Sequence, residues 1–288
     1  MRALDPALGA LLRYLGAVAA ATATQLAILL GPGLVLALAL HAVSRFVRTR
    51  ALRSFGRAWY FTFGWLGTAA HEIGHLVFCL LFGHRVTRVK LFDPDPAAPD
   101  AGHVTHAFEA GNPWQRIGNF FIGVGPILLG AVVIFGASRL LLGPEAFAAL
   151  RPAASDATRL DSLGALLPLA RDAIGGAWGA LAAIFTAEHL GAWRFWVFLY
   201  VTLSVGGGMD LSPSDLRGAL GGFGVLAGLL ILLNLCTLWL GGFFTSLLLG
   251  LAGAASVLWA VMFLALVLTL AAAAVVALLS GVVSLVRR

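Results

Sequence analysis

The chain has 288 residues, of which 60% are hydrophobic and 11% charged, with a mean hydropathy of +0.94, whereas a soluble domain carries about a quarter charged residues. That composition excludes an ordinary water-soluble globule and places the chain among integral membrane proteins. The formal net charge of +6 reflects 19 Lys and Arg against 13 Asp and Glu, but the basic residues gather between apolar runs, as groups at a membrane surface do, so no nucleic-acid partner is expected and the lipid bilayer is.

Taken in chain order, the first long apolar run covers residues 15–43 and is longer than the apolar core of a signal peptide, so it reads as a retained span. A polar loop follows at 45–57 with Arg45, Arg48, Arg50, Arg53 and Arg57. A second run covers 59–82, a third 117–142, a fourth 193–205 and a fifth 216–240. The last, 243–286, exceeds the roughly 20 residues that cross a bilayer and fits either one long tilted helix or two short ones. The expected fold is an all-α polytopic membrane protein of about six transmembrane helices, five and seven being the alternatives, in a single integral domain over 1–288. Arginines fall on both faces of such an arrangement, so the excess of positive charge sets no orientation.

Between the second and third spans the character changes. Residues 85–92, RVTRVKLF, and 103–108, HVTHAF, are rich in β-branched and aromatic residues, and DPDPAAPDAG between them is a turn signal, so residues 84–112 are expected to form a small β-hairpin insert. Residues 144–190 mix Pro, Ser, Asp and Arg with short apolar pieces and read as a surface linker with an interfacial helix. Cys79 and Cys236 both lie in apolar stretches and imply no disulfide framework.

The second span contains TAAHEIGHL at 68–76. His71 and His75 are four residues apart, so on a helix they lie on one face a turn above each other and both imidazoles reach one metal ion. Glu72 projects beside them, a carboxylate placed to work as a base on water. Three ionisable groups within five residues of a membrane helix cost several kcal/mol unless compensated, and a divalent cation compensates all three at once. Zinc is the expected cofactor, one ion, because two imidazoles, an oxygen ligand and an open position suit it. The third protein ligand must come from elsewhere. Asp210 and Asp215 in GGGMDLSPSDLRGAL are the acidic candidates, with Glu188 and His189 further away, and Asp215 is preferred. The same carboxylate also suits a purely structural role, because Ser212 as N-cap, Pro213 next and Asp215 after it form a capping box for the fifth span. In the hairpin, His103 and His106 are candidate accessory ligands, although a solvated or interfacial role suits them better. Asn119 and Asn234 are polar groups at membrane depth, able to bond backbone or substrate carbonyls, and Gly123, Gly125 and Pro126 suggest a kink or a close helix approach.

The stretches AAHEIGHLVFCLLFG, GNFFIGVGPILLG and MDLSPSDLRGA together resemble the site-2 protease class of intramembrane zinc metalloproteases, in which H-E-x-x-H sits within one span and an aspartate of a later span completes the zinc site. The resemblance covers residues 58–130 and 198–220. That class commonly has an Asp-Gly pair after an Asn-Pro element, whereas here Asp215 is followed by Leu216 and Arg217. The resemblance implies zinc held by His71, His75 and Asp215, Glu72 as the general base, and a membrane protein cut within its span. A substrate helix must unwind locally before its carbonyls are reachable, and a strand edge at 85–92 or 103–108 could hold the unwound segment by β-addition. The expected location is a membrane, specifically the bacterial cytoplasmic (inner) membrane, with a regulatory membrane partner or a second copy of the chain as candidate gates.

Two other classes compete: a catalytically idle, metal-bound scaffold or escort of membrane partners, and a cation transporter using the same histidines as a relay. A transporter spreads ionisable residues over several spans, while here they concentrate at one helix and one helix start. A binding-only site has no need of Glu72.

Overall fold

The computed structural model describes residues 6–95, 97–98, 100–148, 166–240 and 243–286. Helix α1, Pro6–Phe55, is 50 residues long and at 1.5 Å per residue extends about 75 Å. It therefore runs straight through the arginines expected to form a loop at 45–57. Arginine is a strong helix former, and beyond Pro32 and Gly33 no breaker intervenes until Gly56, whose φ of 56° turns the chain. Hydropathy marks where a helix is apolar, and propensity decides where it stops.

After Gly56, a short turn α2 (Arg57–Trp59) passes through a π-helical turn, Tyr60–Gly64, into α3, Trp65–Leu81. Gly83 takes a φ of 68°, a left-handed conformation that ends the helix and directs the chain into β1. β1 (Arg85–Lys90) pairs antiparallel with β2 (His103–Ala107), with Val89 opposite Val104 and Lys90 opposite His103 and an irregularity between Val86 and Arg88. This is the expected hairpin. It folds back along α3: the Tyr60 hydroxyl donates to the Asp93 carbonyl at 2.5 Å, the Tyr60 and Phe92 ring centres are 4.8 Å apart, and Lys90 forms an ion pair with Asp93.

The remaining helices are α4 (Pro113–Leu141), α5 (Leu166–Ile184), α6 (Ala187–Gly191), α7 (Trp193–Gly206), α8 (Pro213–Thr237) and α9 (Phe243–Val286), with a 3-10 turn at Pro144–Phe147. Residues 149–165 of the expected linker lie outside the described residues. The final apolar stretch is one helix. Among the described residues, α1, α4, α8 and residues Leu251–Leu285 of α9 are the four helices long and apolar enough to cross a membrane. The main core lies where α1, α4, α5, α7 and α9 meet, around Leu40, Ile134, Ile184, Phe198, Met262 and Leu264. Asn234 of α8 is fully buried, and its amide donates to Thr22 Oγ1 and Gln25 Oε1 of α1, both at 2.8 Å. Its polarity thus joins two helices rather than serving a substrate.

Two backbone-to-backbone contacts place α3. A side chain at Gly67 would collide with the Ser204 carbonyl of α7, and a Cβ at Gly74 would stand 2.6 Å from Pro126 Cα and 2.8 Å from the Gly125 carbonyl carbon in α4. Close approach of this kind is how membrane helices associate without a hydrophobic gradient between them. We expect Gly74→Ala to force α3 off α4 and cost about 1–3 kcal/mol. Because His75 follows directly, metal binding should fall with it. Thermal unfolding in detergent and metal content check both, and a variant with wild-type melting and full metal would show that the contact is not needed.

Candidate metal centre

The centre is built where α3, α4, α8 and the connection between α7 and α8 meet. One turn of α3 separates His71 from His75, and each ring is held by its far nitrogen. The His75 Nδ1–H donates to the Ile122 carbonyl at 2.8 Å, and the His71 Nδ1–H to the Gly208 carbonyl at 2.8 Å. A carbonyl can only accept, so Nδ1 carries a proton in both rings, and each ring when neutral presents Nε2 as its lone pair.

Both carbonyls are free for structural reasons. In a helix the carbonyl of Ile122 would accept from the residue four further on, which is Pro126, and proline has no N–H. Gly208 lies beyond the end of α7 at Gly206, past the last carbonyls that the helix uses. These two acceptors were not anticipated from the sequence. The signal for the first was present, since a proline four residues after Ile122 frees that carbonyl whatever else it does to the helix.

The two Nε2 atoms stand 3.1 Å apart. Asp215 faces both, with Oδ1 3.3 Å from His75 Nε2 and Oδ2 3.5 Å from His71 Nε2. Among the described residues, His71, His75 and Asp215 are the group of potential metal-ligand side chains whose donor atoms converge, all within 4.8 Å of one another. Asp215 also closes the capping box of α8: its N–H donates to Ser212 Oγ at 3.1 Å while its Oδ2 accepts the Ser212 N–H at 2.9 Å. The capping role weighed for this residue is therefore filled, and the cap fixes the rotamer that points the carboxylate at the histidines, so that it does not exclude a ligand role.

Asp210 is close but differently placed. Its Oδ1 lies 3.8 Å from His71 Nδ1, on the far side of the ring from the converging atoms, and its Oδ2 is 3.2 Å from His41 Nδ1 and 3.7 Å from Arg48 Nη2 of α1. His41, like the other site groups a polar residue in an apolar run, went unremarked in the sequence.

Glu72 is buried, 7% exposed, and within electrostatic reach of His71, His75 and Asp215. The start of β2 lies over it: a Cβ at Gly102 would stand 2.9 Å from both Glu72 Cγ and Thr68 Cγ2, so only glycine lets the hairpin approach this closely. The other polar candidates lie outside the converging group. His103 pairs with Asp100 at 3.1 Å, and His106 Nδ1 is 2.9 Å from His84 Nδ1, while His84 Nε2–H donates to the Gln115 carbonyl at 2.8 Å. Burial, reinforced by His84 and His75, pushes the His106 pKa below the ordinary histidine value. The His189 ring meets the Ala183 and Ile184 carbonyls at 3.1 Å at the end of α5, Glu188 sits in the first turn of α6, and Asn119 is half-buried on α4.

Two imidazole nitrogens and a carboxylate that converge in this way form a donor set able to hold a metal ion. No family model, no curated protein and no solved structure matches the chain, so the chemistry of this centre is read from its own donor atoms.

Proposed function

We propose that the chain is an intramembrane zinc metalloprotease of the site-2 protease kind, which hydrolyses peptide bonds of membrane-embedded substrates. The observation that supports this most strongly is the convergence of two imidazole nitrogens and a carboxylate. Donors about 2.0–2.1 Å from a tetrahedral zinc ion stand about 3.3 Å from one another; the two Nε2 atoms are 3.1 Å apart, and Asp215 turns one oxygen to each of them, Oδ1 3.3 Å from His75 and Oδ2 3.5 Å from His71. Calcium and magnesium prefer all-oxygen shells, which this site does not offer.

His71, His75 and Asp215 would hold the ion, leaving one position open. When bound, zinc supplies Lewis acidity, acidifying water toward neutral pH and polarising a carbonyl oxygen. Glu72 takes the proton from the attacking water at its carboxylate and delivers it to the leaving amine. The Ile122 and Gly208 carbonyls keep both imidazoles in the ligand tautomer, and the buried surroundings of Glu72 exclude bulk solvent. The two-stranded sheet lies against α3, and among the described residues no further strand pairs with its edges, where an unwound substrate segment can add as a further strand. The four membrane-length helices would be joined as spans by α2, its π-turn and α3 taken as one helix of about 37 Å, and by the 14-residue α7, about 21 Å long, to give the expected six.

Elemental analysis of the purified protein should find about one zinc per chain. Incubation with membrane-spanning peptides carrying a helix-destabilising residue should give fragments. Stripping with a chelator should abolish them, and zinc should restore them where magnesium does not. Undiminished cleavage by metal-free protein would overturn the reading.

A further inference from the structure

Asp210 lies in the connection between α7 and α8 and is 8% exposed. It caps neither helix, since α7 ends at Gly206 and Ser212 is the N-cap of α8. Nor is it needed to anchor the connection, because its neighbours Met209 and Leu211, 0% and 7% exposed, already sink into the apolar core. A buried carboxylate is a costly choice for a position that packing alone does not require.

Its two oxygens face opposite ways. Oδ2 is held by α1, with His41 Nδ1 at 3.2 Å and Arg48 Nη2 at 3.7 Å, two side chains seven residues apart on one face of that helix. Oδ1 faces the Nδ1 edge of His71 at 3.8 Å, beside the 2.8 Å bond from that nitrogen to the Gly208 carbonyl. The pin to α1 therefore fixes the short stretch that carries the Gly208 acceptor, and the carboxylate sets negative charge behind a ligand imidazole, where it favours a cation on the opposite nitrogen.

We propose that Asp210 is a positioning residue for the metal centre, setting charge behind the His71 imidazole, pinning the stretch whose Gly208 carbonyl holds that ring, and coupling α1, through His41 and Arg48, to the ion-binding atoms. This rests on the metal-centre reading above. Loss of an outer partner of a ligand histidine typically weakens metal affinity about 10–100-fold. The full-length protein in detergent, loaded with zinc, is challenged with graded chelator, and the metal-free forms are melted in parallel. Asp210→Asn should retain zinc about 10–100-fold less tightly while its metal-free form melts with wild type, Asp210→Glu should recover part of the loss, and the visible bands of the cobalt-substituted protein should shift in Asp210→Asn. Unchanged zinc affinity overturns the proposal, and so does a loss of affinity matched by a lower melting point of the metal-free protein, which marks a purely structural tie. If Asp210→Asn does not fold, His41→Leu, which removes the nearer pin from α1, carries the same comparison: looser zinc with unchanged metal-free melting supports the coupling, and wild-type affinity overturns it. A wild-type chain that binds no metal takes down the metal-centre reading itself, an outcome distinct from a wild type that binds zinc and an Asp210→Asn that binds it equally well.

Discussion

Glu72→Gln is expected to leave the protein folded and zinc-bound while peptide-bond cleavage falls by about 10²–10⁴-fold, the usual worth of proton transfer by a positioned group. Glutamine has nearly the size of glutamate, so the close approach of Gly102 is preserved, and the converging donor atoms belong to His71, His75 and Asp215. What is lost is the capacity to accept a proton. The experiment compares fragment yield from a panel of membrane-spanning peptides with zinc content measured on the same preparations. Cleavage at the wild-type rate would show that Glu72 is not the base. If zinc-loaded wild type cuts none of a broad panel and Glu72→Gln still supports whatever the chain does in a cell, the centre is a scaffold that holds metal without using it.

The difference between what the sequence disclosed and what it hid follows from which interactions are local. His71, Glu72 and His75 lie within a turn and a half of one helix, so their spacing alone places them together. The hairpin was equally legible, because alternation and turn residues act over a few positions. Asp215 could be narrowed only to one of two acids, since the choice depends on where α8 begins and how it abuts α3. The capping box that seemed to compete with ligation is what aims the carboxylate. The carbonyl of Ile122 stood midway: Pro126 announced a free acceptor, but nothing local said that His75 would take it. Span boundaries were the weakest part. A hydropathy reading ends α1 at its arginines, and the helix ends twelve residues beyond 43 at Phe55, because arginine propagates a helix and Gly56 breaks it. The partners of Asn234 and Asp210 were out of reach for the same reason, each depending on the packing of α1 against elements more than 160 residues away.

The two roles of Asp215 can be separated by substitution, and the separation is expected to be large. Asparagine keeps a side-chain oxygen able to accept the Ser212 N–H, so Asp215→Asn should retain the cap and lose little stability in the metal-free protein. It surrenders the charge that balances two imidazoles and a dication, so zinc retention should fall by more than the roughly 10–100-fold that the loss of an outer partner costs. Ser212→Ala makes the opposite change. It removes the hydroxyl that accepts the Asp215 N–H at 3.1 Å and should cost about 1 kcal/mol of stability, while the carboxylate remains to bind metal. Chelator competition and melting of the metal-free forms, run on both variants beside Asp210→Asn, should give one order of zinc affinity: wild type and Ser212→Ala tightest, Asp210→Asn weaker, Asp215→Asn weakest. Zinc held by Asp215→Asn as tightly as by wild type and lost from Asp210→Asn would make Asp210 the third ligand and leave Asp215 as a helix cap.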